Sequence, residues 1–150
     1  MSNTSQLELW ATKNISNFMG VYPSDKLPKT IKTPCSLIFN YDSSHLPGSH
    51  WVAVWISKNV YWFDSFGMPP DADDLIIGHK SFFKQWLINV CSSMNLKNYS
   101  WNTLDLQSLD AKTCGHYSLY FCKNGPYKGW EDFNSNTKNN DIKIRQLVKF

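Results

Sequence analysis

The chain has four cysteines, and no two of them form a CxxC pair. It has no Cys/His set at zinc-site separation; His45 and His50 alone make a weak pair. Glycine-rich phosphate loops and dinucleotide fingerprints are missing too. No apolar stretch approaches the roughly 20 residues that a membrane span needs. Met1 to Leu9 lack the basic start and apolar run of a secretory leader. These absences exclude a disulfide scaffold, a zinc-held domain and a nucleotide-dependent enzyme. They set the expectation of a soluble, intracellular, non-secreted protein without a membrane partner. Its cysteines are then reduced thiols, mostly in the core. Net charge is also low: +3, with a pI near 8.6, permits weak attraction to nucleic acid but does not argue for it.

Aromatic residues are what the chain has in quantity. They are 15% of its 150 residues and include seven Trp, so the core is expected to be aromatic-rich. The length fits one domain over 1–150, without repeats or an internal boundary. Leu7, Trp10, Ile15 and Phe18 recur at helical spacing, which predicts a helix over 4–19 stopped at Gly20. Three prolines mark 21–34 as an irregular connector. Cys35 to Asn40 reads as a buried strand. Trp51 to Ile56 and Val60 to Asp64 read as a hairpin across Ser57-Lys58-Asn59. Leu75 to Met94 is the longest helical candidate, with Phe82, Phe83, Trp86, Leu87 and Val90 on one face. Tyr99 to Leu106 is expected to be a fourth strand and 114–122 a short helix. The polar stretch 123–140 reads as a loop or poorly ordered segment, and Ile142 to Phe150 as a small terminal helix or strand. This order predicts an α+β domain with a mixed or antiparallel sheet flanked by helices.

Thr113-Cys114-Gly115-His116 leads from a loop into an apolar helix, so the Cys114 sulfur sits at a helix N-terminus. Unpaired N–H groups and the dipole there favour a thiolate. Gly115 lets the backbone approach a substrate closely. His50 opens a strand and is the candidate general base, with Trp51 beside it as a candidate substrate contact. Asp64 ends the paired strand, within reach of an imidazole across the hairpin, and would hold its tautomer. Gln107 is the candidate oxyanion donor alongside the Cys114 N–H. A structural role competes in each case: a buried inert thiol, a surface histidine, a turn-capping Asp, a polar loop amide. His45 and His79 read as exposed loop residues. His116 lies two positions from Cys114, on another helical face, and is a poor base. Cys122, Cys35 and Cys91 read as core.

Gly48-Ser49-His50-Trp51-Val52-Ala53-Val54-Trp55, Tyr61-Trp62-Phe63-Asp64-Ser65-Phe66-Gly67 and Leu106-Gln107 through Thr113-Cys114-Gly115 stand in one order. With Phe18-Met19-Gly20-Val21-Tyr22, they resemble the adenovirus-type (adenain-like) cysteine proteases, in the same broad group as the SUMO-specific proteases. The resemblance spans roughly residues 6–122. It implies catalytic His50, Asp64 and Cys114, with Gln107 in the oxyanion hole. The seven-position step from Gln107 to Cys114 is similar to the adenoviral pattern; SUMO-protease-like enzymes use six, with Asp where Thr113 stands. The length resembles proteases of Polinton/Maverick, adintovirus and virophage elements.

The resemblance implies a monomeric maturation endopeptidase cleaving viral capsid or core precursors near small residues such as Gly. It places that enzyme in the host nucleus or cytoplasmic virus factory and in the virion. It implies DNA or a peptide as activators. Tyr99 to Leu106 holds no Cys to carry a disulfide-linked peptide, and the residues themselves require no cofactor. A ubiquitin- or SUMO-like deconjugase and a catalytically inactive binding module of the same fold are the alternatives.

Overall fold

The computed structural model describes residues 2–46, 48–72, 82–128 and 132–150. Helix α1 spans Thr4–Asn14 and is closed at its start by a reciprocal capping pair, Asn3 with Gln6. Strands β1 (Phe18–Pro23), β2 (Cys35–Asn40), β3 (Trp51–Ile56) and β4 (Val60–Phe63) follow, then α2 (Phe82–Ser93). The two-residue β5 (Ser100–Trp101), α3 (Cys114–Lys128) and α4 (Thr137–Leu147) complete the order. The sheet runs β1-β2-β3-β4-β5, with parallel pairs at both edges and antiparallel pairs in the centre. It is thus a mixed sheet in an α+β domain.

Both faces of the sheet are covered, so its central strands are apolar on both sides rather than alternating. Leu37, Phe39, Val52, Val54 and Trp62 face α2, where they meet Phe83 and Leu87. Ile38, Trp51, Ala53 and Phe63 face the opposite layer with Leu7, Ala11, Tyr117 and Phe121. Phe121 of α3 stacks on Phe63 at 4.9 Å between ring centroids. Each such buried aromatic contributes roughly 1.5–3 kcal/mol of transfer free energy. Here that burial also fixes how α3 lies across the sheet. All four cysteines are buried free thiols.

Four of the expected boundaries change. The first helix ends at Asn14, because Ile15 caps it in extended backbone and Asn17 takes a left-handed φ of 62°. Phe18–Pro23 then becomes an edge strand parallel to β2 instead of helix and connector. The fourth strand shrinks to Ser100–Trp101 because a side chain replaces its ladder. Asn102 Oδ1 accepts from Asp64 N at 3.0 Å, and its Nδ2 donates to Asp64 O at 2.6 Å. The helix that begins at Cys114 continues through Asn124 to a break at Gly125, where φ is +79° and Pro126 follows. Finally, 137–147 is a helix with Asn136 as its N-cap. The loop expected over 123–140 therefore holds parts of two helices; its polar composition hid Asn140 and Asp141, which point inward. His79 and residues 75–81 of the predicted long helix lie outside the described residues, and the remainder through Ser93 is helical.

The turn after β4 carries a glycine that its geometry demands. Gly67 N donates to Asp64 O at 2.8 Å, and Gly67 has φ +73°. A Cβ there would lie 2.8 Å from the Thr103 carbonyl oxygen, which is backbone and cannot swing away. Gly67→Ala is expected to cost about 2 kcal/mol in backbone strain, with the collision added. Urea unfolding measures it, and a loss below about 0.5 kcal/mol would contradict this account of the turn.

Candidate active site

Both candidate residues on the hairpin stand at the same end of the sheet. The β3–β4 register pairs Ala53 with Phe63, and three residues further along each side stand His50 and Phe66, whose rings stack. The β2–β3 register likewise carries on past Asn40 and Trp51, since Tyr41 N donates to His50 O at 3.1 Å. The imidazole is therefore held between two rings. Phe66 stacks on it at 5.0 Å, and Tyr41 meets it edge-on at 5.2 Å. Only the ring's orientation toward its polar partners is left to set.

Asp64 sets it. Its Oδ1 lies 2.8 Å from His50 Nε2, and both side chains are largely shielded, at 12% and 2% exposure. The same Oδ1 accepts from Phe66 N at 2.9 Å, and Tyr41 OH donates to Oδ2 at 3.3 Å. With Nε2 engaged by the carboxylate, Nδ1 is the nitrogen left for the sulfur. The Cys114 side chain lies near enough to act on the same ring. Burial opposes charge on this ring most strongly. The hydrogen bond to Asp64 and the nearby Cys114 side chain, with the negative charge of both partners, outweigh it and raise the imidazole to about 10. The ring is thus a cation across the physiological range.

Cys114 is the first residue of α3 and is 3% exposed. Helix geometry leaves the amides of this first turn without intrahelical partners, so they point toward the sulfur's surroundings. Gly115 packs where a side chain would not fit: an added Cβ would meet Leu7 Cδ2 at 3.0 Å and Ser2 Oγ at 3.1 Å. Trp51 is 4% exposed, and its indole N–H donates to the Ser2 carbonyl at 3.0 Å. Residues flanking both His50 and Cys114 are thus pinned against the N-terminal segment. A cavity of about 240 Å³ opens on the same side, lined by Thr4, Tyr22, Asn40, Leu46, Gly48 and Trp51.

Gln107 is 2% exposed and is fastened to the residue after Asp64. Ser65 Oγ donates to Gln107 Oε1 at 2.5 Å, and the Ser65 carbonyl accepts from Leu106 N and Gln107 N at 2.8 and 3.2 Å. One Gln107 amide hydrogen goes to the Ala111 carbonyl at 2.6 Å. The other remains for a second acceptor. Ser65 had no role in the sequence reading, although its place in Asp64-Ser65-Phe66-Gly67 was its signal.

Two other described histidines, His45 and His116, lie elsewhere. His45 is exposed. His116 packs edge-on against Phe150 at 4.8 Å, and burial foremost, then the positive charge of Arg145, lowers it to about 4. It is neutral and turned away from this work.

Among solved structures, this chain is similar to the pS273R protease of ASFV, with 18% sequence identity and a TM-score of 0.51 over 98% of this chain. It spans 66% of that protein's length. It is also similar to the C-terminal Ulp1 protease domain, solved in complex with Smt3, the yeast ortholog of SUMO. There the identity is 16% and the TM-score 0.48, over 96% of this chain and 72% of that one. A third is the central domain of the uncharacterized Lpg1148 protein from Legionella pneumophila, at 12% identity, TM-score 0.45 and 99% of both chains. No protein-family model matches the chain, and no curated protein matches it by sequence. The chain therefore has the α+β fold seen in the ASFV protease, with His50 hydrogen-bonded to Asp64.

Proposed function

We propose that this chain is a cysteine endopeptidase of the adenain-like kind, acting by acyl transfer through Cys114. The observation that carries it is His50, hydrogen-bonded to Asp64 and close to Cys114, with the sulfur at the start of a helix. The thiolate attacks the scissile carbonyl carbon, a C–S bond forms, and the carbonyl oxygen takes the negative charge. The Cys114 N–H and the free Gln107 amide hydrogen are the donors for that oxyanion. His50 gives its proton to the departing amine as the C–N bond breaks and the thioester forms. Water then attacks the thioester. His50 takes its proton, and the carboxylic product leaves with the thiolate restored. The cavity bordered by Trp51 would hold part of the peptide, while Gly115, packed against Leu7 and Ser2, supports the start of the Cys114 helix.

The substrates follow from the resemblance: viral structural precursors cut near small residues such as Gly, by an enzyme of Polinton-, adintovirus- or virophage-type elements. The similarity in fold to the ASFV protease supports that direction. DNA as an activator, a monomeric state, and action in the virion and the host nucleus or virus factory belong to the same proposal.

The test is incubation of the purified chain with a library of internally quenched peptides, beside ubiquitin and SUMO carrying C-terminal electrophiles. Cleavage within peptides after small residues is the expected result. Probe labelling without peptide cleavage would replace this reading with a deconjugase. Neither cleavage nor labelling, with DNA added or omitted, would leave an inactive binding module instead.

A further inference from the structure

Helix α4 supplies no residue to the His50–Asp64–Cys114 set, yet two of its buried polar side chains reach the loop between Gln107 and Cys114. Asp141 is 3% exposed and Asn140 is 2% exposed. Asp141 Oδ2 accepts from Ser108 N at 3.2 Å and, in a shorter bond, from Ser108 Oγ. Its Oδ1 accepts from Thr113 Oγ1 at 3.0 Å and from Tyr117 OH at 2.9 Å. Asn140 Nδ2 donates to the Leu106 carbonyl at 3.2 Å, and Tyr117 OH reaches that same oxygen at 3.1 Å.

These contacts fall in a pattern. Leu106 and Ser108 bracket Gln107. Thr113 immediately precedes Cys114, and Tyr117 lies one turn after it. Thr113 is fully buried, and its hydroxyl donates to Asp141. An oxyanion site contributes only when its donors stand still at the position where charge will develop. The loop from 108 to 113 has no strand or helix of its own to provide that rigidity.

We propose that Asp141 is a positioning residue: its carboxylate clamps both ends of the Gln107–Cys114 loop and holds the two oxyanion donors in register. The catalytic half of this inference rests on the peptidase reading above. Asp141 touches neither the sulfur nor the imidazole. It acts through Ser108, Thr113 and Tyr117.

Asp141→Asn and the nearly isosteric Thr113→Val test it, with three readouts on each. Peptide turnover is expected to lose 10-fold or more in kcat with KM within about twofold. Cys114 alkylation by iodoacetamide needs no oxyanion hole and is expected to stay within about twofold. Amide hydrogen exchange at Gln107 and Ser108 is expected to quicken at least 10-fold while α2 amides keep their protection. Unchanged loop exchange in a folded variant overturns the proposal. So does a kcat loss matched by an equal loss of alkylation, or by faster exchange throughout the chain. Thr113→Val removes one hydroxyl and leaves the carboxylate, so it keeps the test open if Asp141→Asn fails to fold. If the wild-type chain cuts no peptide, the peptidase reading fails by itself, and the exchange measurement still decides whether Asp141 holds the loop.

Discussion

Cys114→Ala is expected to lower peptide turnover by on the order of 10⁵-fold or more, to the background rate. The size follows from what is removed. Gln107, the Cys114 N–H and the substrate contacts all remain, but no atom is left to form the thioester. The fold should survive. Cys114 lies at 3% exposure in the cluster with Leu7, Ala11 and Leu106, and alanine there keeps the helix start while deleting one sulfur. A cavity of that size costs about 1 kcal/mol, a few degrees of melting temperature in a domain of this length. Site-resolved mass spectrometry of iodoacetamide-treated wild-type protein supplies the companion result. All four cysteines are buried, but burial raises Cys35, Cys91 and Cys122, whereas Cys114 alone has His50 beside it. Labelling in the folded protein should therefore concentrate at Cys114 and fall when His50→Ala removes the cation beside it. Peptidase activity surviving in Cys114→Ala would end the acyl-transfer reading outright.

His50, Asp64 and Cys114 were legible because each stands where a short local pattern ends an element. Ser49-His50-Trp51 opens a strand, Trp62-Phe63-Asp64 closes its partner, and Thr113-Cys114-Gly115 opens a helix. A hairpin brings its own two ends together, so the first pair needed only the turn at Ser57-Lys58-Asn59 to be recognised. The sheet's apolar strands and the burial of Cys35, Cys91 and Cys122 were equally plain, because burial follows composition closely there.

What stayed hidden depends on partners far apart in sequence. Tyr41 and Phe66 enclose the imidazole only once three strands are in register, and a one-residue slip would have turned both rings away. The fourth strand was overestimated because Asn102 gives Asp64 through a side chain what a strand would give through its backbone. The first half of α4, before Ile142, was missed because Asn, Lys and Asp dominate it. Its buried Asn140 and Asp141 are polar residues with polar partners, and apolar periodicity does not register them. Polar groups can be buried when every bond is met, and such networks are invisible to a hydrophobic pattern.

Asp64→Asn is expected to keep the fold and lose about 10³–10⁴ in kcat. Asparagine is close in shape, its carbonyl oxygen can still accept from Phe66 N, and its amide can donate to the Tyr41 hydroxyl. The charge is what disappears, and with it the force that turns His50 and keeps it protonated. His50 stands at about 10 because Asp64 and Cys114 together outweigh burial. Without the carboxylate, burial prevails more easily and the ring gives up its proton at a lower pH. The sign of the stability effect follows. The folded value, about 10, lies above the unfolded one, 6.5. The ring's contribution is therefore whole below about pH 6.5 and is lost as pH rises through about 10. In Asp64→Asn the loss still begins near pH 6.5, where the unfolded ring titrates, but it is smaller and finishes at lower pH. Urea midpoints of both proteins across pH 6–10.5 measure it: the variant's curve should level off first, while the wild type goes on falling toward pH 10 and the two draw together. Parallel curves over that whole range, or a variant with wild-type kcat, would show that Asp64 caps the turn at Phe66 and does no more for His50 than that.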